Sequence, residues 1–261
     1  MKNILLALRY FRYRLHALNA QGIHSPFVFD TYTQAICGKT DDAKQKQLSK
    51  IQKKSFQDSR ILKVTDYGTA EGESSARQLS VKYIAKHYAS GKKKAGLLYR
   101  LTKHFKPENI LEMGTSLGIG TTALALGSPL SKIVSMEGCP ETASIAMENF
   151  HTSGLKNIEV IEGEFSKTLL SAFEKIPVVD LVFIDGNHRS EPTLRYFEQC
   201  LSKANENSLF IFDDIHWSDD MEEAWKKICS HPEVSITIDL FIVGLVFLRK
   251  GIVKQNFILQ F

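Results

Sequence analysis

The chain has 261 residues, 43% of them hydrophobic and 24% charged, with a formal net charge of +4 at neutral pH. This is the composition of an ordinary globular protein, long enough for one large α/β domain or a domain with a cap; it excludes a low-complexity chain, and the mild charge neither demands nor excludes an anionic partner. No run of ~20 apolar residues occurs, so no membrane span is expected. Cys37, Cys139, Cys200 and Cys229 form no C-x-x-C pair and read as reduced thiols of a cytoplasmic protein.

Residues 1–20 predict an amphipathic helix, with Ile4, Leu8, Phe11, Leu15 and Leu18 at helical spacing and Arg9, Arg12 and His16 on another face. The apolar patch at Ile4–Leu8 is a poor signal peptide, without a small-residue cleavage site. With Tyr10 and Tyr13, the basic face could touch membrane or nucleic acid; a solvated face on a packed helix is the simpler reading. Gly22–Phe27 (G-I-H-S-P-F) should break the helix at Pro26. Residues 39–60 read as an exposed, charge-rich helix or a mobile segment. Val64–Ser75 is a polar, glycine-bearing loop, either a connection or a lid. Residues 76–105 read as helices broken at Gly91. A helical N-terminal region is therefore expected at 1–106 and an α/β domain at 107–261.

From Asn109 onward strands and helices alternate, which implies a mostly parallel sheet. N-I-L-E-M-G-T-S-L-G-I-G, residues 109–120, reads as a buried strand, a glycine turn and a helix start. Those are the parts of a nucleotide-type cofactor site: glycines admit close backbone approach, and the helix N-terminus offers free N–H groups. The spacing G-x-x-x-G-x-G departs from the dehydrogenase G-x-G-x-x-G. Further strands are expected at 132–137, 157–162, 178–185 and 208–213. The run V-V-D-L-V-F-I-D at 178–185 suits a strand buried on both faces. Ser218 can cap a helix with Asp219 and Asp220 in its first turn. Residues 235–241 and 245–249 read as two strands joined so tightly at Gly244 that they must be antiparallel.

Ligands of open parallel sheets bind at the carboxyl ends of the strands. Glu137 stands at such an end, 17 positions after Gly120. A carboxylate there can accept both ribose hydroxyls of an adenosine. Gly163, after the third strand, can bring backbone to the adenine edge. Asp185 ends the fourth strand, in I-D-G-N-H-R, and Asp213 and Asp214 end the fifth, in I-F-D-D-I-H-W. Carboxylates crowded together raise each other's pKa unless a cation is present, and oxygen-rich clusters suit Mg²⁺ or another hard divalent ion. His188 is the candidate base and His216 its competitor, since an imidazole can take a hydroxyl proton near neutral pH.

The glycine spacing resembles motif I of the class I methyltransferases, which bind S-adenosylmethionine, and the antiparallel closing pair is similar to their seven-stranded sheet. From Asn109 to Lys250 the chain looks like a metal-dependent O-methyltransferase of the catechol type or its sugar-modifying relatives. The fold so implied is α/β: a Rossmann-like seven-stranded sheet, mostly parallel with an antiparallel last strand, helices on both faces, and a helical N-terminal cap. The resemblance implies S-adenosylmethionine contacts at Glu112, Gly114, Thr115, Ser116, Gly118, Gly120, Thr121, Glu137, Gly138, Gly163 and Asp185, and metal ligands at Asp185, Asp213 and Asp214. The catechol type ends its fifth strand in Asp-Asn and has a lysine where His188 stands; Asp213-Asp214 is compatible with metal but puts a catechol acceptor in doubt. G-I-H-S-P-F-V-F and G-L-L-Y-R-L resemble the helical leader of bacterial methyltransferases. A small-molecule acceptor is expected, nucleic acid is disfavoured, and a homodimer is compatible. The alternatives are a metal-independent methyltransferase acting on nitrogen or a larger partner, and a non-catalytic cofactor- or RNA-binding module.

Overall fold

The computed structural model describes residues 2–66 and 75–261. In chain order its helices and strands begin with α1 (Lys2–His16), α2 (Pro26–Asp30), α3 (Asp42–Gln57), β1 (Ile61–Asp66), β2 (Ser75–Ser80), α4 (Val81–His87) and α5 (Lys92–Phe105). There follow β3 (Asn109–Met113), α6 (Ile119–Gly127), β4 (Lys132–Glu137), α7 (Pro140–Thr152), β5 (Ile158–Glu162), α8 (Phe165–Lys175) and β6 (Val179–Ile184). The last are α9 (Ser190–Leu201), β7 (Ala204–Asp213), α10 (Asp219–Ser230), β8 (Ile236–Asp239), β9 (Val243–Phe247) and β10 (Gln255–Ile258). The fold is α/β, its main sheet mostly parallel and flanked by helices. No helix among the described residues is long and apolar enough to cross a membrane.

Contacts divide the chain into two compact units, Gln34–Pro177 and Met1–Thr33 with Val178–Phe261. This is a division by packing and follows different lines from the functional one drawn at 106/107.

In the unit Gln34–Pro177, β3, β4 and β5 run parallel, with Leu111 opposite Val134 and Met136 opposite Ile161. Ile110, Leu111, Met113, Ile133, Val134 and Met136 are fully buried, as their short apolar runs require. Helix α6 is buried from Ile119 to Leu126, and α5 packs against it. Residues 76–80, expected to be helical, belong to a strand instead: β1 and β2 make an antiparallel hairpin with Leu62 opposite Leu79. Leu62 packs with Val81, Ile84, Leu117 and Ile145, which repays a pairing that S-A-R-Q-L-S would not choose by propensity. The expected loop at 64–75 falls largely on residues 67–74, outside the described residues.

In the other unit the strand order is β10-β8-β9-β7-β6. Strands β6 and β7 are parallel, and β9 is inserted antiparallel to both β7 and β8. Gly244 lies inside β9, not in the turn, and a Cβ there would come within 2.5 Å of the Trp225 ring of α10. Two corrections to the expected sheet follow. Five strands here and three in the other unit make eight, not seven, and the last strand, β10, is parallel to β8, so the antiparallel strand is the one before it. Pro26 begins a helix, occupying the first turn of α2 behind the Ser25 cap, where a missing N–H costs nothing.

Helix α1 forms as expected but turns the opposite way. Tyr13 and Ala17 are buried, whereas Ile4, Leu8, Phe11, Leu15 and Leu18 are exposed. The inward face is held by polar anchors: Tyr13 Oη donates to the Leu259 carbonyl, and Arg9 pairs with Asp219 and donates to the His216 carbonyl at 3.1 Å.

Candidate active site

The cofactor half is built where β3 ends and α6 begins. Gly114 and Thr115 donate their N–H groups to the Met136 carbonyl at 2.9 and 3.2 Å, tying the turn to β4. Gly118 caps α6 with φ 76°, and a Cβ there would lie 2.6 Å from Cε1 of Phe150. Both the backbone conformation and the space therefore require glycine. Glu112 is fully buried, and its Oε2 accepts from Thr121 Oγ1 and Ser135 Oγ, each at 2.5 Å; Ser135 also meets Thr115 Oγ1 at 2.5 Å. Glu112, Thr115 and Thr121 are thus joined in one network that fixes strand to helix. Gly120 lies buried in the first turn of α6.

Glu137 ends β4. Its Oε2 accepts from the Ser116 N–H at 2.7 Å and its Oε1 from the Cys139 N–H at 2.9 Å. Burial pushes its carboxyl above the usual range, opposed by the N–H groups of Cys139, Ser116 and Gly138 and by the Thr142 hydroxyl. Gly163, with φ 135°, donates its N–H to the Glu137 carbonyl at 2.8 Å. The turn, Gly138, Glu137 and the end of β5 are therefore linked directly.

The acidic half lies at the carboxyl ends of β6 and β7, neighbouring parallel strands. Asp185 follows the last residue of β6, and Asp213, 3% exposed, is the last of β7. Asp185, His188 and Asp213 each offer one ligand atom, all within 4.8 Å of one another. His188 Nε2 is 3.9 Å from Asp185 Oδ1. Asp214 is not a member of this group; it leaves the strand with φ 52°, its N–H donating to the Ile242 carbonyl at 2.9 Å. His216 is also elsewhere: Nδ1 meets Glu222 Oε1 and Nε2 meets Asp239 Oδ2, both at 2.8 Å, with the ring stacked on Phe241.

Asn187 is a residue to which sequence reasoning gave no role. Its buried Oδ1 has no hydrogen-bond partner, and its φ is 59°. It stood in plain view between Asp185 and His188 in I-D-G-N-H-R. Among the described residues five non-glycines have positive φ, and three of them, Ser116, Asn187 and Asp214, follow the carboxyl ends of β3, β6 and β7. Strained backbone gathers at functional sites.

The two halves agree with what comparison shows. Residues 111–215 match the family model described as a methyltransferase domain. No curated protein matches the chain. A methyltransferase of Podospora anserina, solved with SAH bound, superposes with TM-score 0.56 at 16% identity, over 81% of this chain and 98% of that one. An O-methyltransferase from Bacillus cereus in complex with SAH gives 0.53 at 19% identity, over 84% and 97%. The O-methyltransferase of tomaymycin synthesis from Streptomyces achromogenes, solved with SAM, gives 0.55 at 15% identity, over 85% and 95%. At these identities the structures share the fold. Over residues 111–215 the chain is similar to a methyltransferase domain, and the glycine turn with Glu137 fits the class I S-adenosylmethionine-dependent kind.

Proposed function

We propose that this protein transfers the methyl group of S-adenosylmethionine to a hydroxyl oxygen of a small acceptor, with a divalent cation held beside that oxygen. The observation that carries the reading is the convergence of Asp185, His188 and Asp213 within 4.8 Å at the ends of adjacent parallel strands. Two carboxylates with a buried, unpartnered Asn187 Oδ1 nearby are donors of the type that Mg²⁺ or a similar hard ion takes. Asp185 and Asp213 are assigned to the ion, with the neighbouring Asp214 retained as a further candidate ligand. When bound, such an ion makes an adjacent hydroxyl more acidic.

The chain's own residues would do the rest. The turn at Gly114–Gly120 and Glu137 would hold the donor, Glu137 accepting from the ribose hydroxyls. Asp185, at the strand end, is also a candidate to face the donor. His188 would take the acceptor's hydroxyl proton. The oxygen then forms a bond to the methyl carbon as the carbon–sulfur bond breaks, releasing S-adenosylhomocysteine. The sulfonium is already an activated donor, so positioning supplies most of the acceleration. His216 is not assigned the proton, because both of its ring nitrogens are engaged. Residues 1–106 are assigned the choice of acceptor, and the free thiols suit a cytoplasmic enzyme.

The test is methyl transfer from labelled S-adenosylmethionine to a panel of sugar and phenolic hydroxyl compounds, with Mg²⁺ or with excess chelator. Transfer to oxygen that requires the ion supports the reading. Transfer that survives the chelator, or product methylated on nitrogen, overturns it in favour of a metal-independent enzyme.

A further inference from the structure

Helix α1 is amphipathic in the wrong direction for a packed helix. Ile4, Leu8, Phe11 and Leu15 recur at intervals of four, three and four and so share one face. They are 67%, 60%, 63% and 68% exposed, and Leu5 and Leu18 are exposed beside them. Single exposed apolar residues are ordinary, but a continuous stripe along a whole helix marks an interaction surface.

The opposite face is firmly seated. Arg9 pairs with Asp219 and lies 3.4 Å from Glu222, while Tyr13 is buried and bonds the Leu259 carbonyl. Tyr10 and Tyr13 both pack against Phe241. The stripe is therefore presented outward by specific contacts and is not the by-product of a loosely attached helix.

Charge selects the occupant. The helix K-N-I-L-L-A-L-R-Y-F-R-Y-R-L-H has Lys2, Arg9, Arg12 and Arg14 and no carboxylate. Arg12 and Arg14 are exposed, and at 3.6 residues per turn they fall on the two shoulders of the stripe, roughly 80° to either side. A second copy docked by two-fold symmetry would set these arginines against each other with no carboxylate between them. An RNA would meet apolar side chains at the centre of the face, where phosphate contacts need cations. A bilayer surface with anionic headgroups accepts both parts: the apolar stripe enters the acyl boundary and the flanking arginines stay with the headgroups.

We propose that α1 is a membrane-surface anchor, which seats the enzyme on an anionic lipid leaflet through Ile4, Leu8, Phe11 and Leu15 with Arg12 and Arg14 at the headgroups. The helix lies on the membrane and does not cross it. This docking is independent of the methyl-transfer chemistry.

The experiment is co-sedimentation of the full chain with large vesicles of phosphatidylcholine, alone or mixed with phosphatidylglycerol. The native protein is expected to partition onto the mixed vesicles, more weakly onto the neutral ones, and less as salt is raised. Phe11→Gln with Leu15→Gln, which removes apolar surface without changing charge, is expected to lower partitioning about tenfold or more. Arg12→Gln with Arg14→Gln should lower it several-fold and remove most of the salt dependence. All four positions are exposed, so both variants should keep the native melting temperature and S-adenosylmethionine affinity. The proposal is overturned if the native protein ignores mixed vesicles, or if the Phe11/Leu15 variant partitions unchanged. It is overturned equally if the chain is a dimer that this variant dissociates, or if it binds RNA through Arg12 and Arg14 while leaving vesicles alone.

Discussion

The Ser116 amide donates to Glu137 Oε2 at 2.7 Å, so the tip of the glycine turn is fastened to the carboxylate that ends the next strand. Cys139 N–H occupies the other oxygen at 2.9 Å. The Gly138 N–H and the Thr142 hydroxyl also act on this carboxylate, so the two ribose hydroxyls would share its oxygens with these donors. Glu137→Ala is therefore expected to remove both ribose contacts and loosen the turn. Hydrogen bonds to a charged group contribute about 1.5–3 kcal/mol, so S-adenosylmethionine affinity should fall about 10- to 100-fold. Glu137→Gln should do little better, because its NH₂ group must face one of the two N–H donors. Calorimetric titration measures both variants; native affinity in Glu137→Ala would remove Glu137 from the site.

Gly118 is confined twice, by its φ of 76° and by Phe150 Cε1 at 2.6 Å from the Cβ position. In Gly118→Ala the left-handed conformation costs about 1–2 kcal/mol and overpacking about 1–3 kcal/mol. Thermal unfolding should show a melting temperature lower by several degrees, with cofactor binding weakened because the turn moves. Adding Phe150→Leu should recover the overpacking part and leave the conformational part, so the two changes will be less than additive. Full additivity in a double-mutant cycle would show that Phe150 is not what fills the space.

Much of this geometry can be read along the chain. The run from Ile110 through Gly120 into Thr121 specifies strand, turn and helix, since burial, glycine conformation and helix start all agree locally. Glu137, Asp185 and Asp213 were legible as strand-end carboxylates because the apolar runs before them mark strands. Spacing makes Asp214 the twin of Asp213, but it does not tell that the chain leaves the strand there with φ 52°, while Asp213 stands with His188 and Asp185. The hairpin at Leu62 and Leu79 was hidden because S-A-R-Q-L-S lacks β-branched residues and gains its stability from distant partners such as Leu117. Strand β10 is four residues long, too short for periodicity to register. In α1, periodicity showed which residues share a face but not whether anything covers it.

Asp213 and His188 are assigned different roles, and the two can be separated. Asp213→Asn should weaken Mg²⁺ binding at least as much as the ~10- to 100-fold loss seen when an outer partner of a ligand is removed, and activity should recover in part at high Mg²⁺. His188→Ala should leave Mg²⁺ binding close to native and lower kcat about 100-fold or more, the usual contribution of a positioned base. The lost activity should return partly as pH is raised and the acceptor ionises without help. Isothermal titration with the ion and steady-state rates on both variants decide it. Loss of ion binding in His188→Ala would make the imidazole a ligand instead of the base.

His216 couples the fold to pH. Burial of its ring lowers the pKa, but hydrogen bonds and charge from Asp239 and Glu222 outweigh this and raise it above the usual 6.5. Arg9, 3.4 Å from Glu222, and Tyr13, whose own pKa is raised by burial first and then by Asp239, share this surrounding. A histidine with a raised folded-state pKa contributes stability that is complete below the unfolded value and is lost as pH rises through the folded one. Denaturant unfolding should therefore show stability declining on the alkaline side of 6.5 as the bridge between the two carboxylates loses its proton. His216→Gln, neutral throughout, should lower stability by about 2 kcal/mol below pH ~6, the scale of a charged hydrogen bond, and by progressively less as pH rises. The difference between native and variant, plotted against pH, isolates this one group from every other titration. A difference that stays constant from acid to alkaline pH would mean that the ring binds its proton equally in the folded and unfolded chains, and that the bridge does not couple the fold to pH.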